Sequence, residues 1–461
     1  MSGGPRLTGV ARKREIWTAG REATFFVRCI SFRGAVRADE SVPHYSPSDD
    51  NMNQALHQLV VEISLLLLLV TVYGCGGDQT GGDSPVEDRA SIQPTELHWS
   101  TELILSATFG NIVDADLDRC GRFWVADGQT QTLEIHSESG TVIDVGRRGQ
   151  GPGEFQFLRS IRLAHDTAFV MDSGNQRISV FVAPCNQEPH LDRTIPLFAD
   201  GDARAESHIG RVSNGDFLIT TQLPMLIGEE APTPETTLEL VTNQGRWRES
   251  PVLSYPGAEA LTFRVGGGGV ASPMPFGSES VIRVLDSERL IAGTTSSQVL
   301  HIHDLSGEVT DSLNLPLPSR EVTSGDVDHL LESMRENGSG VLMAPFPVGT
   351  IARIEAAADE GRLPRVHPAF LTFEFDDQLQ WLWVQILDAD DRLEYINEGP
   401  ARYVNQEGVS QFVGAPLEGR EFYRITTPGH RRILRARGGQ LLTVVEDELG
   451  VQTLEVLSIE F

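Results

Sequence analysis

Short apolar runs, each opened by a pair of turn residues, recur along the body of the chain. Gly121-Arg122 leads into Phe123-Trp124-Val125-Ala126-Asp127, Asp166-Thr167 into Ala168-Phe169-Val170-Met171-Asp172, and Gly215-Asp216 into Phe217-Leu218-Ile219-Thr220. The first two copies lie 45 residues apart and the next follows after 49. Weaker copies at 286–292, 376–383 and 438–443 bring the number to six. Each reads as a hairpin turn feeding a buried strand. Several are followed by a second strand and a further turn, as at 132–140, 177–182 and 299–307.

Short strands, glycine turns and a period of roughly 40–50 residues predict a β-propeller, whose blades cannot bury their faces alone and so stack around an axis. The expected class is all-β, six-bladed, over residues 95–461. Helical spacing occurs at 324–337, where Val327, Leu330, Leu331 and Met334 share a face, and again at 351–360. This small helical insertion separates blades 4 and 5. The last copy supplies about three strands before Phe461, while 97–107 alternates ahead of the first full blade. An N-terminal strand that completes the final blade would hide the edges of an open ring.

The run Gly146-Arg147-Arg148-Gly149-Gln150-Gly151-Pro152-Gly153-Glu154-Phe155, followed by Asp172-Ser173-Gly174-Asn175-Gln176-Arg177-Ile178-Ser179-Val180-Phe181, resembles the NHL-type repeat of six-bladed propellers. The ending 446–456 is similar to the last blade of exported bacterial propellers of that kind. What the resemblance implies is a fold, because function on such folds is decided by the site.

Ahead of the body, the pattern changes. Up to Arg37 the chain carries eight basic residues against Glu15 and Glu22, and has no sustained apolar period. Met52 then starts a short polar stretch and a largely apolar run of 15 residues, Leu59 to Tyr73, interrupted by Glu62 and Ser64 and ending at Val72-Tyr73-Gly74-Cys75. That run is shorter than the roughly 20 residues a spanning helix needs and suits a signal-peptide core. Its ending resembles a bacterial lipobox, which implies lipidation of Cys75. Several acyl chains, at ~0.8 kcal/mol per buried CH₂, make a durable anchor. We therefore expect an upstream extension without order at 1–51, a signal peptide at 52–74, and a lipidated Cys75 with a flexible tether at 75–94. An uncleaved anchor or a cleaved signal without lipid remain alternatives. All three place the body in the bacterial cell envelope, facing the periplasm or the exterior.

Charge narrows the partners. The 461 residues hold 37 Lys and Arg against 65 Asp and Glu, a formal charge of −28. The only lysine is Lys13, so a body without lysine cannot use a lysine Schiff base, a Ser-x-x-Lys nucleophile or a P-loop lysine. The acidic excess argues against nucleic acid and anionic headgroups as partners. Any cation at a ligand site beyond Cys75 must be an arginine or a histidine.

Candidate chemistry is sparse. Cys120 and Cys185 are candidates for a disulfide in an oxidising compartment, with two free thiols as the alternative. Gly146 to Gly153 leads into a strand and reads as a blade-to-blade connection rather than a phosphate cradle. The glycines at 266–269 read as a flexible loop. In Asp172-x-x-Asn175-x-Arg177 the first two suit a tight turn and Arg177 could pair with a carboxylate of a neighbouring blade, a structural role, with ligand contact as the alternative. Glu446-Asp447-Glu448 reads as a solvated turn. The histidines show no HxxxH or HExxH spacing. His301 and His303 share a strand face away from the axis, and the one metal set to weigh is His208, His367 and His430. No catalytic, cofactor-binding or metal residue is assigned. The expected function is a non-enzymatic ligand- or protein-binding module held to the membrane only by its lipid, and the alternative is a metal-dependent hydrolase or lyase working in the channel.

Overall fold

The computed structural model describes residues 93–461, apart from 138, 198–203, 223–234, 266–267, 339–348, 395–400 and 448. The extension, signal segment, Cys75 and nearly all of the tether lie outside the described residues.

Six blades of four antiparallel strands follow one another along the chain, and a short parallel strand extends the sheet of two of them, Glu154–Phe155 in blade 1 and Thr95–Glu96 in blade 5. Their inner strands are Ile112–Leu117, Leu158–Ala164, Arg204–Arg211, Ser280–Val284, Phe370–Asp376 and His430–Arg437, and each contacts the next in a closed ring. This is a six-bladed β-propeller. All six apolar copies read from the sequence prove to be second strands entered from the turn after the inner strand: Phe123–Asp127, Thr167–Asp172, Phe217–Gln222, Arg289–Thr294, Trp381–Ile386 and Gln440–Glu446. They are the most apolar because they lie mid-blade, covered on both faces; Phe123–Asp127 is buried at every position.

Six apolar clusters fill the spaces between neighbouring blades. Trp124, Phe155 and Phe181 pack between blades 1 and 2, Phe169 and Phe217 between 2 and 3, and Phe370 and Phe373 between 4 and 5. Leu218 and Ile282 pack between blades 3 and 4, Trp383 and Ile433 between 5 and 6, and Ile112 and Leu434 between 6 and 1. No blade buries its own faces, so the ring folds as one unit.

The ring closes in blade 6. His98–Ile104 pairs antiparallel with Gln452–Glu460 as that blade's outer strand. A second piece, Thr95–Glu96, runs parallel to the outer strand of blade 5, Tyr423–Pro428, and Trp99 donates its indole N–H to the Thr426 carbonyl at 2.9 Å. The N-terminal segment thus latches two blades.

Turns repeat a side-chain device. Asp127 accepts from the backbone N–H groups of Gln129 and Thr130, and Asp172 from those of Gly174 and Asn175. Four residues after each Asp stands a glutamine in the left-handed region, Gln131 (φ 60°) and Gln176 (φ 47°). Gln131 accepts from Leu158 N at 2.8 Å and Gln176 from Ala205 N at 3.0 Å, so each turn also fixes the start of the next inner strand.

Cys120 and Cys185 are bonded, S–S 1.91 Å, with Cα atoms 5.5 Å apart. The bridge joins blade 1's turn to the loop after the third strand of blade 2. Arg122 reinforces it by pairing with Asp118 at 2.7 Å and donating to the Ala183 carbonyl at 2.6 Å.

Candidate functional site

Topology puts all the insertions on one face. In a four-stranded blade the outer strand ends, and the second strand turns back, on the face where the inner strands begin. The hairpin Ala260–Val265/Gly268–Pro273 lies between blades 3 and 4, the helices Ser324–Gly338 and Thr350–Asp359 between blades 4 and 5, and the hairpin Asp391–Glu394/Arg402–Asn405 within blade 5. All three therefore rise from that face. They share a seventh apolar cluster: Leu261 and Phe276 pack with Leu330, Leu331, Met334, Ile354 and Leu393. The helices match the helical spacing; the two hairpins were not visible in it. Of the glycines expected as a flexible loop at 266–269, Gly268 and Gly269 are paired to Val265 and Arg264 in a hairpin, and 266–267 lie outside the described residues.

Beneath this cap the axial channel opens into a cavity of about 1100 Å³. β-Bulges shape its rim. In blades 1, 2, 3 and 5 the inner strand carries one extra residue in its first half, Val113, Arg159, Glu206 and Leu371 respectively, and all four line the cavity. A bulge bends a strand and re-aims a side chain, which is why bulges cluster beside binding sites. Glu279 of blade 4 and Arg432 of blade 6 complete the rim. Strict two-residue alternation hides such positions, because an inserted residue shifts the pattern by one; the only trace in the sequence is charged or apolar residues out of phase, as in Leu158-Arg159-Ser160-Ile161.

Three residues further along their strands, and so about 10 Å deeper at ~3.3 Å per residue, lie Arg162, Glu374 and Arg435. Asp114 accepts from Arg162 and Arg435 at 2.9 Å each and from Ile161 N at 2.8 Å. Arg162 reaches the Ile209 carbonyl of blade 3 at 3.1 Å, and Arg283 of blade 4 pairs with Glu374 of blade 5 at 2.7 Å. Five inner strands supply the ions of this floor and that of blade 3 a backbone carbonyl. Burial alone would raise the Asp114 carboxyl, but Arg435 and Arg162 outweigh it and hold it below its ordinary value. At Asp116 burial prevails over the same two arginines and the carboxyl is raised.

The rim differs. Neither the Glu206 nor the Glu279 carboxylate accepts a hydrogen bond from a described residue. Burial raises both carboxyls, with Arg159 partly offsetting the first and Arg283 the second. Arg432 donates one arm to the Ile112 carbonyl.

The three histidines of the candidate metal set are not brought together. His208 is buried between blades 2 and 3, edge-on to Phe169 and Phe217, with Nε2 2.7 Å from the Gly210 carbonyl. Burial, and then Arg162, lower its pKa to about 3. His367 sits under the cap: Arg320 donates to Nδ1 at 2.9 Å, Tyr403 Oη lies 3.1 Å from the same nitrogen, and Asp326 is 3.5 Å from Nε2. It clamps blade 5 to both insertions nearby. Of the set, His430 alone lines the cavity. Among the described residues no three His, Cys, Asp or Glu side chains are placed to hold an ion. His301 and His303 stand in the third strand of blade 4, where His303 meets Tyr255 Oη at 2.8 Å.

Arg177 does not find the carboxylate expected of it. Its guanidinium is filled by backbone carbonyls of the glycine connection, Gln150 at 3.0 Å, Gly151 at 2.6 Å and Glu154. Gly149 and Gly153 in that connection bend the chain with positive φ, so carbonyls point inward to a cation where an anion cradle would present N–H groups. Asp447 caps its own turn through Leu449 N and Val451 N, and Glu446 pairs with Arg402.

No known family profile matches the chain, and no curated protein matches it. Solved structures with a similar course of the chain include a protein described as exported from Bacteroides fragilis, at 10% identity over 79% of this chain and 95% of that one, TM-score 0.42. A DUF4221 family member from Bacteroides vulgatus is 12% identical over 80% and 99%, TM-score 0.41. Virginiamycin B lyase from Staphylococcus aureus is 10% identical over 79% and 99%, TM-score 0.36. Scores and identities this low assign nothing to this chain beyond what its own strand pairing shows.

Proposed function

We propose that the protein is an exported, lipid-anchored β-propeller with NHL-like blades that acts as a non-enzymatic binding module through the capped mouth of its channel. The observation that carries this reading is the cavity of about 1100 Å³ with bulged rim side chains over a paired ionic floor. Ligand cavities run to roughly 300–1,000 Å³, so the mouth suits a small molecule or short peptide. The floor acids are engaged by arginines, which leaves the rim as the adaptable part. A hydrolase or lyase with a metal in the channel is the competing reading, and the scattering of His208, His367 and His430 gives it no support.

Binding at the mouth is tested by a thermal-shift screen against a soluble metabolite library, repeated with Leu371→Trp, which fills the rim. Compounds that stabilise the wild type should lose their effect on the variant at unchanged melting temperature. Equal shifts in both proteins would refute the site. Export is supported by the signal-like segment ending at Cys75 and by the Cys120–Cys185 pairing, of a kind that oxidising compartments favour. For the anchor, palmitate label should appear in the wild type and vanish in Cys75→Ser; label in both would refute lipidation at that residue.

A further inference from the structure

The rim is polarised, and the order of blades fixes how. In a ring of six, blade 3 faces blade 6 across the axis and blade 4 is next to blade 3. The rim positions of blades 3 and 4 are Glu206 and Glu279, and that of blade 6 is Arg432. Leu371 of blade 5 and Val113 of blade 1 separate the two signs on either side, except that Arg159 of blade 2 stands beside Glu206. On the acidic side two carboxylates from neighbouring blades line the cavity without a hydrogen bond from any described residue, whereas every ion of the floor below is paired. Opposite, Arg432 spends one arm on the Ile112 carbonyl. Burial raises both carboxyls and neither is hydrogen-bonded by a described residue, so a cation seated against them relieves that cost.

Building on the reading of the mouth as a binding site, we propose that its ligand is dipolar: an ammonium or guanidinium group seats against Glu206 and Glu279 while a carboxylate at the far end meets Arg432. Short peptides with free termini and a basic first residue have this charge pattern. Their apolar middle would pass Leu371 and the cap residues Met274 and Phe276, which line the same cavity. A guanidinium opposite a carboxylate offers two parallel hydrogen bonds where an ammonium offers a point charge. In a body without lysine, arginine supplies that contact.

The test uses saturation-transfer NMR and titration calorimetry on the folded protein from residue 76 onward. The probes are four tripeptide libraries: free termini with a basic first residue, the same with amidated C-termini, N-acetylated with a neutral first residue, and neutral at both ends. The wild type should favour the first library at least tenfold over each of the others. Glu206→Gln with Glu279→Gln should abolish the preference for the cation and keep that for the carboxylate, and Arg432→Gln the reverse. Equal binding of all four libraries, still blocked by Leu371→Trp, would overturn the dipolar ligand while leaving the mouth as a site. Binding that survives Leu371→Trp, or no binding of any library, would overturn the dipolar ligand at this mouth; metabolite shifts lost in Leu371→Trp would then be needed for the mouth itself to stand.

Discussion

Asp114 shows how one residue is made indispensable by its surroundings. Its side chain is buried on the first inner strand, and it is the shared partner of Arg162 and Arg435 from the strands on either side. Asp114→Asn retains the size and the acceptor for Ile161 N but removes the charge from between two part-buried cations. Breaking a buried pair in this way costs about 3–5 kcal/mol, and we expect that loss in urea unfolding. A change below about 1 kcal/mol would show that Asp116, 3.5 Å from Arg435, neutralises the floor without it. Arg177 teaches the converse. Its type and position suggested a partner of opposite charge, yet the turning connection before it presents the carbonyls of Gln150, Gly151 and Glu154 to the guanidinium instead.

At the scale of elements, the inner and second strands answer to different rules. Second strands are buried on both faces and read as continuous apolar runs, which is why all six were legible. Inner strands have one end at the rim, and those of blades 1, 2, 3 and 5 carry a bulge there, so their alternation breaks where the site is built. The closing strand His98–Ile104 is mostly exposed and contributes little apolar surface, but it covers the edge of Gln452–Glu460. A chain beginning at Ser106 leaves that edge open and removes the latch to blade 5. We expect it to aggregate or to unfold at lower urea than a chain beginning at Gln93, as judged by size exclusion and circular dichroism. A monomer of unchanged stability would show that the ring closes without the strand.

The whole molecule couples its stability to pH through histidines that the fold keeps neutral. His208 has a folded pKa of about 3 and His367 of about 4, each lowered first by burial and then by a nearby arginine, against 6.5 for the free side chain. Between the two limits the unfolded chain binds the proton and the folded chain does not. Stability is therefore complete above pH 6.5 and falls as pH drops toward the folded values. For His208 the slope is up to ~1.4 kcal/mol per pH unit. Urea midpoints measured from pH 7 to pH 4 should fall, and should fall less steeply in His208→Gln; parallel curves would show that other groups carry the dependence. The wider charge balance is likewise a property of the whole molecule. Beyond Cys75 the chain carries 29 arginines against 58 acids, so the propeller is repelled by an anionic membrane even if tethered to one.

The number of blades, the helical insertion and the closing strand were determined by the sequence, because each depends on local periodicity and on the order of elements along the chain. The candidate site was not. Val113, Arg159, Glu206, Glu279, Leu371 and Arg432 are spread over some 320 residues and belong to six different blades, with no spacing to tie them together. Only ring closure makes them neighbours, and only bulges, which are irregular by nature, aim four of them into the same space. The histidines show the same limit in reverse: His208, His367 and His430 each stand near the start of a blade in the sequence, yet the packing between blades and beneath the cap sends them to separate places.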